Sequence, residues 1–352
     1  NYGRVDKAAV WMLLSRLYLN AEVYTGTAQW QKAADYAKKV INSPYQLYTG
    51  ATVNGWTAYQ QLFMGDNGEN GASVEAIFPI LQDGKRTAAY GGTVFLINAC
   101  YDKAATVNSN GVAGGNLYDN ANWAGVRARK DLIDKFFPNN NAPSVTGAVM
   151  PKEADDDRAL FDGVDRTITQ ETSKDLSTFT KGFAVVKYNN FYSTGATAKD
   201  LRYADTDFFF FRVAEAYLAY AEACVETDDL ETAKTYLNRV RVRAGIPTVE
   251  TAWNGIAVLD QAKLRQIVRQ ERQIEFYLEN QNFWDMRRWL LAEKAFGKKA
   301  QGLNIEANNI DDFAQLKEIA FERKFESPKN YLLPIPSADI NRNPKLVNNP
   351  GY

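Results

Sequence analysis

Apolar side chains recur at helical spacing in three paired stretches of the chain. Val10, Leu13, Leu14, Leu17, Tyr18, Ala21 and Tyr24 fall at i, i+3, i+4, i+7, i+8, i+11 and i+14, which predicts a helix with a buried apolar stripe. After a turn at Gly26, the residues Trp30, Ala33, Ala34, Ala37 and Ile41 keep the period until Pro44 stops it, so residues 1–43 read as a helical hairpin. A second pair begins near Phe208 with Phe210, Val213, Ala214, Tyr217, Leu218, Ala221, Cys224 and Val225 as a continuous stripe. Its partner starts at Asp228 and Glu231 in capping-box-like spacing, continues through Leu230, Ala233, Tyr236, Leu237 and Val240, and ends at Gly245 with Pro247 beyond. The third pair is predicted from about Asp260 to Gln281 and from Phe283 to about Phe296, stopping at Gly297, so residues 208–300 hold two further hairpins.

Hairpins of this length, with alanines at the crossing face, resemble tetratricopeptide units, although the full signature of that repeat is absent. Residues 44–207 interrupt the helical pattern. GDNGENG (65–71), VNSNGVAGGN (107–116) and FPNNNAP (137–143) are turn material rich in Gly and Asn. Between them lie two strand-like runs, EAIFPIL (75–81) and GFAVVKYNN (182–190), and one helical run, RKDLIDKFF (129–137). A loop-rich insertion of this size reads as the ligand-binding part of the chain, with 301–352 as a C-terminal segment. The fold class is therefore mainly α: tetratricopeptide-like hairpins wrapped by long loops with a few short strands.

The third helical stripe contains an anomaly. Leu264, Ile267, Val268, Ile274 and Leu278 share their face with Glu271 and Glu275, two carboxylates one turn apart where apolar residues belong. A buried carboxylate must be paired or protonated. Arg287 and Arg288 on the next helix are the expected partners, with Arg239, Arg241 and Arg243 on the preceding hairpin as alternatives. The competing reading makes Glu271 and Glu275 the acid and base of a glycosidase, which requires an open cleft between them. Because both residues point into a helix–helix seam, a structural ionic latch is the expectation.

Composition narrows the chemistry further. The chain has 352 residues, 45% hydrophobic, with Lys+Arg 41 against Asp+Glu 42 and no histidine. Without histidine there is no Ser-His or Cys-His nucleophile and no histidine-liganded metal. Two cysteines, Cys100 and Cys224, cannot build a zinc site; Cys224 reads as a small core residue, with a Cys100–Cys224 disulfide as the alternative. A net charge of −1 gives no basic footprint for nucleic acid. No run of about 18 apolar residues spans a bilayer. Asn1 opens inside a helical pattern, so the chain is expected to be a mature fragment whose targeting signal has been removed. The acidic runs Glu153–Arg158 and Asp66–Gly71 lack EF-hand spacing and read as loops, so no cofactor is expected.

What the insertion offers a ligand is aromatic. Trp56 and Trp123, with Tyr59, Tyr90, Tyr101, Tyr118 and Phe191, sit among Asn and Gln, a pairing that suits the apolar C–H face and hydroxyl edge of a sugar. The bland alternative is that some of these rings pack the loops themselves.

Four stretches in order, FFFFRVAEAYLAYAEA (208–223), LNRVRVRAG (237–245), FWDMRRW (283–289) and YLLPIPSADINRNPKLVNNPGY (331–352), resemble the SusD/RagB family of Bacteroidetes outer-membrane lipoproteins. NYGRVDKAAVWMLLSRLYLNAEVY (1–24) is similar to that family's second helical hairpin, and RKDLIDKFF followed by DDDR to the element ahead of its third. The resemblance implies a single SusD-like α-α superhelix lacking the family's N-terminal part: its first hairpin, its signal peptide and its lipidated cysteine. It also implies a non-enzymatic, lipid-anchored protein on the outer-membrane surface that binds oligosaccharide or polysaccharide. The captured glycan would pass to a TonB-dependent, SusC-like transporter. The expected ligand-binding residues are Trp123, within NWAGVR, with Tyr101, Tyr118, Arg127, Trp56 and Tyr90. Two alternatives remain open: a carboxylate-only glycoside hydrolase of helical architecture, and a helical-repeat adaptor for a protein or peptide.

Overall fold

The structure, a computed structural model, describes residues 2–118, 122–128, 130–137, 142, 148–149, 154–167, 178–291, 301–303, 316–318 and 325–352. Its first helices are α1 (Lys7–Leu19), α2 (Ala21–Thr25) and α3 (Trp30–Ile41). Asp6 caps α1 by accepting from the Ala9 N–H at 3.0 Å, and Gly26 supplies the left-handed φ of 71° that ends α2.

The buried face of α1 differs from the expected one. Ala8, Ala9, Met12, Ser15 and Leu19 are covered, whereas Val10, Leu13, Leu17 and Tyr24 are exposed. The reason is close packing by small residues. Leu19 of α1 joins Ala33, Ala34 and Ala37 of α3 and Ala219 and Ala223 of α7 (Val213–Glu226) in one cluster, and the Ser15 hydroxyl donates to the Ala33 carbonyl at 3.1 Å. Apolar residues surround α1 on nearly all sides, so periodicity alone does not choose the buried one.

The insertion contributes short helices α4 (Ala58–Gln61), α5 (Thr93–Cys100) and α6 (Lys130–Ile133) and strands β1 (Ala76–Ile80), β2 (Arg127–Ala128), β3 (Ala148–Val149), β4 (Phe161–Gly163) and β5 (Phe183–Val185). β2, β5, β4 and β3 form one antiparallel sheet in that order. Phe208–Arg212, expected to begin a helix, is instead β6, antiparallel to β1. Four consecutive aromatics favour an extended, pleated segment, and the helix starts only at Val213.

α8 (Leu230–Arg243) follows α7; Asp229 caps it, bonding the Thr232 N–H at 3.3 Å, while Asp228 takes the left-handed φ of 64° that makes the turn. Gly245, φ 80°, lets the chain leave α8 toward Pro247. After α9 (Val249–Ala252), α10 runs Gln261–Glu275 and α11 Asn282–Arg288, both shorter than expected. Leu278 and Asn280 adopt left-handed φ values of 58° and 59°, which breaks the predicted helix ahead of Gln281. Its partner's predicted end at Phe296 and Gly297 lies outside the described residues. β7 (Gln301–Leu303) pairs with β8 (Leu316–Glu318), and α12 is Ser337–Arg342.

Two larger apolar clusters accompany the alanine-rich one between α1, α3 and α7. Trp56, Tyr59, Phe63, Ile97, Tyr101, Phe161 and Phe183 lead the insertion core, and Met12, Val40, Leu218, Leu237 and Leu264 lead the helical core. The α10 helix and the turn after it join both, giving Ile274 and Tyr277 to the first and Val268 and Phe276 to the second. Cys100 and Cys224 are free and buried, so the disulfide alternative is discarded; burial pushes the Cys100 thiol up to about 12. No described helix is long and apolar enough to cross a membrane.

Candidate functional site

Glu271 and Glu275 face the same side of α10, and both are internal. Glu271 accepts from Arg158 and, at 2.7 Å, from Arg241. Glu275 accepts from Arg212 at 2.6 Å, from Arg243, and from Arg158 at 3.4 Å. The network continues through Glu75, bonded to Arg212 (2.9 Å) and Arg243 (2.8 Å), and through Glu279, bonded to Arg212 (2.7 Å) and Lys187 (2.6 Å). Asp156 closes it, holding Arg158 at 2.8 and 2.9 Å. Five cations and five carboxylates thus balance in one buried cluster that ties the insertion (Glu75, Asp156, Arg158, Lys187) to β6, α8 and α10.

The latch was expected, but its cations are partly different. Arg241 and Arg243 belong to it; Arg287, Arg288 and Arg239 do not, and Arg158 and Arg212 replace them. The left-handed turn before α11 directs Arg288 toward α7, where it donates to Glu222 (2.7 Å) as well as to Asp285 of its own helix (2.8 Å), while Trp289 donates to Glu222 at 2.6 Å. Arg287 lies over the rings of Phe283 and Trp284. The FWDMRRW stretch is therefore a clasp between α11 and α7.

Electrostatics argue against a catalytic pair. Burial alone would raise the Glu275 carboxyl, but Arg243, Arg212 and Arg158 outweigh it and hold the group well below the usual range. A glycosidase acid needs the opposite shift. Glu271 borders a cleft of about 530 Å³, yet it is 2% exposed and both its oxygens are occupied by arginines.

The expected ligand residues separate into three groups. Trp56 is 4% exposed and packs on Phe191 with ring centres 5.6 Å apart; Tyr101 is fully buried. Both are core residues, a correction to their expected role: polar neighbours in sequence did not keep them at the surface, because segments 54–64 and 94–107, with the short helices α4 and α5, pack inward as the insertion core. Arg127 is half-buried, with Nη1 donating to the carbonyls of Thr178 (2.8 Å) and Lys181 (3.0 Å), so it fastens the β2 edge. Tyr118, Tyr90 and Trp123 are exposed.

Trp123 has the most developed setting. The last turn of α5 leaves carbonyls without helical partners, and the loop 122–126 satisfies them. The N–H of Trp123 donates to Asn98 O (2.6 Å), those of Gly125 and Val126 to Ala99 O (3.0 and 2.7 Å), and that of Ala124 to Tyr101 O (2.9 Å). Backbone bonds thereby fix the ring without engaging it. Trp123, 44% exposed, meets Phe95 of α5, 50% exposed, at 5.9 Å and 63°, so the two rings form a solvent-facing ridge. The buried Asn98 amide and Tyr101 hydroxyl, and Oδ1 of Asn122, make no protein hydrogen bond. Tyr90, on Tyr203 at 5.3 Å, precedes Phe95 by five residues, which limits their Cα separation to about 18 Å. Phe95 was missed by sequence reasoning: TVFLINAC is apolar on every side, and nothing in it marks which ring faces water.

The SusD family profile matches residues 75–352. The chain belongs to the SusD family. Starch-binding protein SusD of Bacteroides thetaiotaomicron is 33% identical over 382 residues, covering all of this chain and 61% of that protein. SusD-like protein P2 of Formosa agariphila is 27% identical, covering 94% of this chain and 58% of its own length. The chain thus spans about three-fifths of the length of these curated relatives. Among solved structures, a SusD-like carbohydrate binding protein of Bacteroides fragilis superposes with a TM-score of 0.63 at 21% identity, over 97% of this chain and 65% of that one. Another SusD-like protein of Bacteroides fragilis gives 0.62 at 22% identity, over 99% and 66%. At these identities the likeness concerns the fold, and it agrees with the mainly helical SusD architecture expected from the sequence.

Proposed function

We propose that this SusD family chain is a glycan-binding protein without catalytic activity that captures oligosaccharide or polysaccharide on the Phe95–Trp123 ridge. The observation that carries the reading is two half-exposed rings, Phe95 on α5 and Trp123 on a loop that backbone hydrogen bonds fasten to the end of that helix. Offset rings present flat apolar faces to the C–H side of a sugar. Tyr118 and Tyr90 extend the surface, and residues 44–207 act as the ligand-binding part of a single SusD-like unit. Support comes from relatives whose names record starch or carbohydrate binding. The capture of Glu271 and Glu275 by arginines leaves no carboxylate pair there for hydrolysis.

The same reading places the protein at the outer-membrane surface on a lipid anchor, passing captured glycan to a TonB-dependent, SusC-like transporter. Affinity electrophoresis and calorimetry against starch, maltoheptaose and a panel of other glycans test the binding step. Binding by the parent and loss of it in Trp123→Ala and Phe95→Ala are expected. A parent that binds, with both variants binding equally well, would remove the ridge from the site, and release of reducing sugar would overturn the non-catalytic assignment. Co-purification with a SusC-like protein tests the transporter step.

A further inference from the structure

A cleft of about 670 Å³ shares no lining residue with the ridge. One wall is the outward side of α8, with Thr235, Arg239 and Val242; the other is the chain around Leu47, Thr49, Thr52 and Ala58, and Asp157 and Arg243 line it as well. Its volume falls in the range of small-molecule sites. Among the described residues, two charged groups there, the exposed Arg239 and the half-buried Asp157, have no polar partner in the protein. The Arg239 guanidinium rests over Tyr236 at 4.8 Å and makes no ion pair or hydrogen bond. The Asp157 carboxylate, half-buried, accepts no hydrogen bond, although its backbone N–H is held by Ala244 O at 3.0 Å. Burial chiefly, then Asp156, raises the Asp157 carboxyl, while Arg243 and Arg158 pull it down.

The two groups have complementary limits. A carboxylate only accepts and a guanidinium only donates, whereas a hydroxyl does both. The hydroxyls of a saccharide can satisfy both, and Leu47, Ala58 and Val242 offer apolar lining for its C–H face. An anionic ligand would meet Arg239 but repel Asp157. We infer that the cleft between α8 and residues 47–58 is a second saccharide site, with Asp157 accepting from and Arg239 donating to ligand hydroxyls.

The site is tested on the Trp123→Ala protein, which keeps it apart from the ridge. Calorimetry is run with maltotriose, cellotriose, mannotriose, trigalacturonate and glycylglycine, with and without Asp157→Asn or Arg239→Gln. Because these side chains lie outside the buried ionic cluster, thermal melts are expected to match the parent and are recorded for each variant. At least one neutral trisaccharide is expected to bind, and each added substitution to weaken it about tenfold or more, the effect of losing one charge-assisted hydrogen bond. The proposal is overturned by no neutral sugar binding, by tighter binding of trigalacturonate or glycylglycine, or by unchanged affinity in both variants. Binding to the ridge, read in the unsubstituted protein against Trp123→Ala, stands or falls separately.

Discussion

Glu275→Gln separates a structural carboxylate from a catalytic one. Glu275 is fully buried and accepts from Arg212, Arg243 and Arg158. Glutamine keeps the shape, but its NH₂ group turns a donor toward guanidinium donors, and the cluster changes from five cations against five anions to five against four. Breaking a buried ion pair by removing one partner costs about 3–5 kcal/mol. With 352 residues and an unfolding entropy of about 2.1 cal/mol/K per residue, ΔS at the midpoint is about 0.7 kcal/mol/K. The expected fall in Tm is therefore about 4–7 °C, read by calorimetry or circular dichroism at pH 7, with urea unfolding as a second measure. Glycan affinity is expected to stay unchanged below the transition. A variant with parental Tm would show that the charge is not needed for the scaffold, and the ionic-latch argument would be wrong.

The two tryptophans selected from sequence should behave in opposite ways. Trp56→Ala is expected to lose about 3–5 kcal/mol of stability through a cavity in the insertion core while glycan binding persists in the folded fraction; Trp123→Ala should melt like the parent and lose binding. Equal melting temperatures for the two variants would refute the burial assignment. The pH dependence follows from carboxyls whose folded pKa is depressed: burial would raise Glu275, Glu222 and Asp285, but their arginines prevail. Their stabilisation is complete above the unfolded values, 4.5 for Glu and 3.8 for Asp, and is lost as pH falls below them. Asp157, Asp162 and Asp207, raised chiefly by burial, act in the opposite direction. Urea unfolding between pH 5 and 3 should weaken steeply in the parent and less steeply in Glu222→Gln; coincident slopes would contradict the linkage. Asp285→Asn should likewise melt several degrees below the parent, because it releases Arg272 and Arg288 together.

Much of the scaffold was legible in the sequence. Helical periodicity placed α3, α7 and α8, alternation and flanking turns placed β1, and Gly245 with Pro247 marked the end of α8. An acidic pair on an apolar stripe also announced its own answer, since two buried carboxylates require cations. These features are local: each depends on residues within a few turns of one another, so their physics is written in spacing.

What the tertiary structure alone decided was which of several equally apolar sides faces inward and which cations reach the acids. Val10, Leu13 and Leu17 lost the interior of α1 to Ala8, Ala9 and Ser15 because small side chains allow closer helix contact. Arg158 and Arg212 lie 113 and 63 residues from the carboxylates they serve, Glu271 and Glu275, a separation invisible to spacing rules. Trp56 and Trp123 occupy similar polar loops in sequence, yet one is sealed against Phe191 and the other is held outward by the carbonyls ending α5. Exposure is set by long-range packing, and no window of sequence contains the partner that covers a ring.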